Sequence, residues 1–409
     1  SFKTAPSNKA VIGRYILPKT IFKKLRKQKP GNGGEFHITD AIQSLINEND
    51  KVIWVHCSSL GEYEQGLPVF KCLKEKYNDH KIILTFLSPS GYEVKKASSI
   101  ADLVIYLPID SNRNAKKFIT AIKPKLVVFV KNEIWPNYIK YIKKYNIKSA
   151  LICGLFREGQ LKFLWPFNFL ANSIIKFDYI LVQDEKSKKI IQNLGHNNTY
   201  LCGDTRFDRV YDTMSQDDSI EIIEGFKGNK LCMVAGSIWE EDERILVNYI
   251  NTCEQDFKFI LVPHEINKQK ISKLRESISQ TSILYSEFSE KNNKSDVLII
   301  DNIGILARLY KYADMVYIGG GMGPSGLHNT LEPAIYGVPI IIGKNYSKFS
   351  EAKQMIELGG MFSIKNDQEF KDRVDYLSKN KLAANKIGLI NSNFVLDNKG
   401  ATNKIMNYL

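Results

Sequence analysis

The stretch Lys51-Val-Ile-Trp-Val-His-Cys-Ser-Ser-Leu-Gly-Glu62 starts as a run of β-branched and aromatic residues and breaks at a short loop containing Ser and Gly. It then leads into Leu67, Phe70, Leu73 and Tyr77, which recur at spacings of three and four. Lys81 to Phe86 supplies a second apolar run. Strand, one-faced helix and strand in that order form a βαβ unit, and such units build a parallel sheet. Working outward, the same beat predicts strands at Lys51 to Val55, Lys81 to Phe86, Leu103 to Leu107, Leu126 to Val130, Lys148 to Ile152, Tyr179 to Gln183 and Tyr200 to Cys202. It lapses in the polar stretch Met214 to Asp218. It resumes with Leu231 to Ala235, Phe257 to Val262, Val297 to Ile300, Met315 to Ile318, Val338 to Ile342 and Met361 to Ile364. The expected architecture is α/β, with two doubly wound Rossmann-like domains facing across a cleft, residues 35–214 and 215–409, after a basic segment, residues 1–34. Ligands of such sheets sit at the carboxyl ends of the strands, which directs attention to the loops that follow strands.

Length and composition agree with two full cores. The 409 residues are 44% hydrophobic and 25% charged, with 26 Gly and 13 Pro, which excludes disordered and collagen-like chains. A net charge of +13 favours an anionic partner, whether nucleic acid, an acidic membrane face or a phosphorylated substrate. No run of aromatics interleaved with Arg supports stacking on nucleic-acid bases. Cys57, Cys72, Cys153, Cys202, Cys232 and Cys253 lie far apart without a CxxC or CxxH pair, and read as reduced core residues of a cytosolic protein. The N-terminal apolar pieces are broken by Arg14 and Pro18, so neither a membrane span nor a signal peptide is expected. Lys19, Lys23, Lys24, Arg26, Lys27 and Lys29 alternate with Ile16, Leu17, Ile21, Phe22 and Leu25, a pattern that suits either a solvated helix face or contact with an anionic membrane.

Three strand-end loops stand out. Glu62 falls in the first turn of the helix after the first strand, where partial desolvation would raise its pKa toward that of a general base; complementing the helix dipole is the alternative. Glu133, in Lys131-Asn-Glu-Ile-Trp-Pro-Asn137, occupies the equivalent end of the fourth strand and reads either as a second site acid or as a helix cap. The third, Gly319-Gly-Gly-Met-Gly-Pro-Ser-Gly326, precedes Leu-His-Asn329-Thr330-Leu331-Glu332-Pro333 and an apolar segment expected to be helical. Its backbone amides suit a nucleotide phosphate, with Glu332 placed to hold ribose hydroxyls or to cap the helix. Residues 321 to 326 satisfy GxGxxG, but Pro324 lies inside the match and no acid follows at the spacing of a dinucleotide site. Gly236-Ser237 and Pro263-His264-Glu265 end two further strands, with Ser237 able to cap the next helix and His264 able to contact a phosphate or base edge. No HExxH, P-loop, nucleophile elbow or acidic metal cluster is present.

Taken in order, His56-Cys-Ser-Ser-Leu-Gly-Glu62, Ser88-Pro-Ser-Gly91, Leu107-Pro-Ile-Asp110, Asn132-Glu-Ile-Trp-Pro-Asn137, Gly203-Asp-Thr-Arg-Phe-Asp208, Ala235-Gly-Ser237 and Gly326-Leu-His-Asn-Thr-Leu-Glu-Pro333 resemble the 3-deoxy-D-manno-octulosonic acid (Kdo) transferases of lipopolysaccharide synthesis across about residues 50 to 365. The resemblance implies a GT-B fold and an inverting transfer of Kdo from CMP-Kdo to a hydroxyl of a lipid A precursor, with no cofactor and no catalytic metal. It further implies Glu62 as base, with Glu133 beside it. The donor is expected against Arg206, Gly236, Ser237, His264, Gly320, Gly321, Asn329, Thr330, Leu331 and Glu332. The acceptor or its loop is expected against Ser58, Ser59, Gly61, Ser90 and Gly91. The place of action implied is the cytoplasmic face of the bacterial inner membrane, with peripheral attachment to its anionic surface and no nucleic-acid partner. The rival readings are a GT-B transferase or epimerase acting on another nucleotide sugar, and a non-catalytic basic protein that binds membrane or nucleic acid.

Overall fold

The computed structural model describes residues 51–158, 170–214, 219–289 and 294–409. The basic segment 1–34, with its expected membrane contact, lies outside the described residues, as does most of the polar stretch after Met214. Two parallel seven-stranded sheets organise the chain. The first contains β1 (Lys51–Cys57), β2 (His80–Phe86), β3 (Leu103–Tyr106), β4 (Pro124–Val130), β5 (Lys148–Gly154), β6 (Tyr179–Val182) and β7 (Thr199–Leu201), in the order β3-β2-β1-β4-β5-β6-β7. The second contains β8 (Leu231–Ile238), β9 (Phe257–Pro263), β10 (Ser282–Leu284), β11 (Val297–Ile299), β12 (Met315–Ile318), β13 (Ile340–Gly343) and β14 (Met361–Ile364), in the order β10-β11-β9-β8-β12-β13-β14. All the expected strands form, with ends moved by a few residues. β10 is the addition, because three residues are too short to show a period.

Parallel strands are covered on both faces, which is why they read as continuous apolar runs. In β1 the alternation sends Val52 and Trp54 to one face, where Trp54 meets Phe118 and Phe129 at ring separations of 5.0 and 5.1 Å. Ile53, Val55 and Cys57 face Tyr63, Val69, Phe70 and Leu73 of the helix Leu60–Lys76 on the other. That helix presents the predicted apolar face. The six cysteines are free thiols, and burial pushes Cys153 and Cys232 up to about 12, so these are inert core groups.

The order of each sheet fixes where ligands can approach. The chain leaves β1 in one direction, builds β2 and β3, and returns to place β4 on the opposite side of β1. The loops after β1 and β4 therefore diverge and open a crevice at the carboxyl ends of these strands. β8 and β12 form the same kind of switch point in the second sheet.

Contacts separate the chain into two compact units: the first runs to Arg209 and regains Gly400–Leu409, and the second is Val210–Lys399. The return is secured by Asp208, whose carboxylate accepts from the N–H of Gly400 at 2.5 Å, the N–H of Thr402 at 2.7 Å and the Thr402 hydroxyl at 2.8 Å. Ile405 and Leu409 then join the core beneath the helix Leu60–Lys76. A simple cut at residue 215 does not capture this return.

Candidate functional site

At the switch point of the first sheet, Ser59 caps the helix Leu60–Lys76 and Glu62 is its third residue. Glu62 Oε2 accepts the N–H of Ser58 at 2.5 Å and of Ser59 at 3.2 Å, completing a capping box. The capping role and the site role are thus not exclusive. The carboxyl is half-buried, and burial first, then the charge of Glu133, raises its pKa, against the lowering effect of the two amides and of Lys131. A capped carboxylate with a raised pKa is rigidly aimed and able to take a proton.

Glu133 does not cap the helix Pro136–Lys144, whose N-cap is Trp135 with no side-chain bond. Its Oε2 instead accepts the Trp135 indole N–H at 2.8 Å and lies 3.4 Å from His56 Nε2. Burial pushes its pKa up, yet His56, Ser58 and Trp135 outweigh this and hold it below the ordinary value. The two acids are thereby driven apart, with Glu62 the readier proton acceptor of the two. Lys131, at the same strand end, adopts φ 69°, a left-handed conformation rare outside Gly and often found at functional sites.

The other N-terminal motifs shore up this corner. Ser88 donates its N–H to Ser58 O at 2.8 Å, which brings the loop of Ser90 and Gly91 alongside. A Cβ on Gly91 would come within 2.3 Å of the Phe86 ring and 3.2 Å of Leu60 N, so only Gly lets the two loops close together. Gly61 is exposed and makes no close approach. Asp110 caps the helix Pro136–Lys144 from a neighbouring loop, accepting the N–H of Asn137 and of Tyr138 at 3.3 Å each. Arg206 belongs to the first unit, in the helix Thr205–Met214, and forms an ion pair with Asp204 at 2.8 Å.

The switch point of the second sheet is made of backbone and rings. Gly319 donates to Gly236 O at 2.9 Å, and a Cβ on Gly319 would strike Ser237 O at 2.3 Å, so the loops after β8 and β12 touch main chain to main chain. Gly320, at φ 87°, donates its N–H to Asp242 Oδ2 at 2.7 Å. The expectation that the whole loop offers free amides to a phosphate therefore fails for Gly319 and Gly320. Asp242, fully buried, also accepts from Tyr317 Oη at 2.7 Å and from the N–H of Trp239 at 3.0 Å. Gly321 packs against Gly343 of β13. Ser237 is not a helix cap: the helix Glu240–Thr252 begins after Trp239, and Ser237 sits at φ 55° in a register shift at the end of β8.

His264 stacks over both Trp239, at 4.4 Å, and His328, at 4.5 Å, whose own rings lie side by side within 11° of coplanar. Trp239 donates its indole N–H to His328 Nε2 at 2.9 Å, which requires a lone pair there. Burial first, and then His264, lowers the His328 pKa to about 4, so that ring is neutral near pH 7. Asn329 Oδ1 accepts the N–H of Leu331 at 3.0 Å, and Thr330 Oγ1 is buried without a hydrogen bond among the described residues. The expected helix beyond is a single turn, Leu331–Ala334, which tolerates Pro333 in its first turn and gives way to Gly337, at φ 68°, and Pro339. Glu332 acts electrostatically on buried Tyr310, whose hydroxyl packs against Gly236, so both loops converge on the end of β8.

Two contributors escape a reading of motifs. His56 belongs to the buried Trp54 face of β1, and Asp242 to the buried stripe with Ile245, Leu246 and Tyr249. In both cases the detectable signal is a titratable residue at an apolar position of the period.

The family model described as 3-Deoxy-D-manno-octulosonic-acid transferase (kdotransferase) matches residues 34–209. The 3-deoxy-D-manno-octulosonic acid transferase of Aquifex aeolicus (strain VF5) is 30% identical over 329 residues, 78% of this chain and 83% of that protein. The Haemophilus influenzae (strain ATCC 51907 / DSM 11121 / KW20 / Rd) protein of the same description is 25% identical over 386 residues, covering 87% and 86%. Among solved structures, UDP-GlcNAc 2-epimerase from Neisseria meningitidis bound to UDP-GlcNAc superposes with a TM-score of 0.62 at 14% identity, over 88% of this chain and 99% of that one. That likeness shows the fold, two Rossmann-like units of the GT-B type. By its identity to the Aquifex protein along most of both chains, this chain belongs to the family of 3-deoxy-D-manno-octulosonic acid transferases.

Proposed function

We propose that this glycosyltransferase moves Kdo from CMP-Kdo to a hydroxyl of a lipid A precursor, with inversion at the anomeric carbon. Glu62 takes the hydroxyl proton as the acceptor oxygen forms its bond to that carbon. The bond from the carbon to the CMP phosphate breaks, and its electron pair leaves with CMP. Family membership supports the sugar and the reaction class. The observation that carries the residue assignment is the capped, half-buried Glu62, raised in pKa beside an ionised Glu133. One base and one displacement suffice for inversion.

In this reading the second unit holds the donor. Gly236, Ser237, His264, Gly320, Gly321 and the segment Asn329 to Glu332 shape its site, with Glu332 toward the ribose. The amides of Gly319 and Gly320 are engaged inside the protein and are not phosphate ligands. The acceptor meets the loops of Ser58, Ser59, Gly61, Ser90 and Gly91. Among the described residues no helix is long and apolar enough to cross a membrane. We assign access to the lipid at the cytoplasmic leaflet to the basic N-terminal segment, whose lysines would each contribute about 1 kcal/mol near an anionic surface.

The test is transfer of labelled Kdo from CMP-Kdo to a lipid A precursor, with thermal protection measured in parallel for CMP and UDP. Labelled product and protection by CMP alone are expected. Protection by UDP alone, without product, would overturn the donor assignment.

A further inference from the structure

His56 is sealed from solvent, and its two ring nitrogens face different groups. Nδ1 lies 2.8 Å from Thr85 Oγ1, the hydroxyl of the residue paired with it across β1 and β2. Thr85 Oγ1 also accepts the Trp54 indole N–H at 2.9 Å. Nε2 has no well-aligned hydrogen bond, and the Glu133 carboxylate stands 3.4 Å away. A carboxylate offers only lone pairs, so the nitrogen facing it carries the hydrogen. In the tautomer with its hydrogen on Nε2 the ring accepts at Nδ1, and the single O–H of Thr85 supplies that bond. Its other acceptor, Val55 O, is more distant at 3.4 Å. Read this way the chain is consistent at every atom: Trp54 N–H to Thr85, Thr85 O–H to His56 Nδ1, His56 Nε2–H toward Glu133.

We infer that His56 is a positioning residue of the acceptor site, which through Nε2–H keeps the Glu133 carboxylate ionised and aimed beside Glu62, while Thr85 and Trp54 fix the ring tautomer. The inference rests on the reading of Glu62 as the base and deepens it. Glu133 faces His56, Ser58, Trp135, Glu62 and Cys57, and Glu62 faces Glu133, Lys131, Cys57 and the amides of Ser58 and Ser59. Within this set the charge on Glu133 strengthens Glu62 as a proton acceptor. Without the His56 contact Glu133 takes up a proton more readily, its repulsion on Glu62 falls, and the base weakens.

The experiment compares kcat against pH for His56→Asn, His56→Gln and Thr85→Val. Asn retains a polar group toward Thr85 but is too short to reach Glu133. Gln places an amide N–H near the position of Nε2. His56→Asn is expected to lower kcat roughly tenfold, part of the 10²–10⁴ that general-base catalysis supplies, and to move the acid limb to lower pH. His56→Gln is expected to keep the limb near the wild-type position and recover most of the rate. Thr85→Val removes the hydroxyl that sets the tautomer, and with it the acceptor of the Trp54 indole N–H, and is expected to move the limb in the same direction as His56→Asn. It gives the same readout should His56→Asn fail to fold. A wild-type limb in His56→Asn or Thr85→Val, or equal losses in Asn and Gln variants, would reduce His56 to a core residue. Failure of the base reading looks different: Glu62→Gln itself would then retain turnover.

Discussion

The two switch points occupy equivalent places in two similar sheets and are built from opposite materials. At β1 and β4 the crevice is defined by side-chain charge: Glu62 and Glu133 under His56, Ser58, Lys131 and Trp135. At β8 and β12 it is defined by the near absence of side chains, with Gly236, Gly319, Gly320 and Gly321 in main-chain contact and the buried carboxylate of Asp242 engaged as a brace. A pair of coupled acids is suited to moving a proton. A glycine-lined corner beside stacked rings is suited to accepting a large flat ligand. The fold thus repeats its geometry while local chemistry differs, and the proposed division of work rests on that difference.

The largest effect expected from breaking that division is at the first switch point. Glu62→Gln keeps the capping geometry and removes the proton acceptor, so steady-state turnover should fall by ~10²–10⁴-fold with the circular-dichroism spectrum unchanged. Near-normal turnover would remove Glu62 from the mechanism. At the second switch point Asp242→Ala leaves the donors of Tyr317, Gly320 and Trp239 unpaired in a dry interior. Unfolding in urea should show a loss of about 2–5 kcal/mol from these orphaned groups, with weakened CMP affinity. Stability within about 0.5 kcal/mol of wild type, the scatter of surface substitutions, would mean the loop does not lean on Asp242.

Glu332→Ala should weaken CMP by roughly 1.5–3 kcal/mol, as when a charged acceptor is lost, without moving the acid limb of kcat. A moved limb would join two regions that this account separates. The smallest change is expected from Glu133→Gln. Glu62 is needed ionised, so activity falls as pH drops through its raised pKa; removing the negative charge of Glu133 lowers that pKa and shifts the acid limb to lower pH. A shift upward would show that Glu133 supports the ionised form of Glu62.

Both sheets were legible because parallel strands covered on two faces are written as unbroken apolar runs, and strand-end loops then narrowed the search to Glu62, Glu133 and the glycine-rich stretch. What escaped depends on contacts across strands. Nothing near His56 in the chain says that Thr85 and Glu133 will flank it, since register with β2 and the return of β4 bring them there. The apolar segment after Asn329 reads as a helix, but Gly337, at φ 68°, and Pro339 end it after one turn. The free amides expected of Gly319 and Gly320 disappear because Gly236 and Asp242 reach them from β8 and the helix beyond.

The central claim is that proton transfer belongs to the first sheet and donor binding to the second. Calorimetric titration of CMP into Glu62→Gln tests it most directly, because that variant alters only the proton-accepting oxygen. The account predicts a Kd equal to that of the wild type. A Kd weaker by about tenfold or more, a loss of about 1.4 kcal/mol, would place the nucleotide against Glu62 and contradict the division.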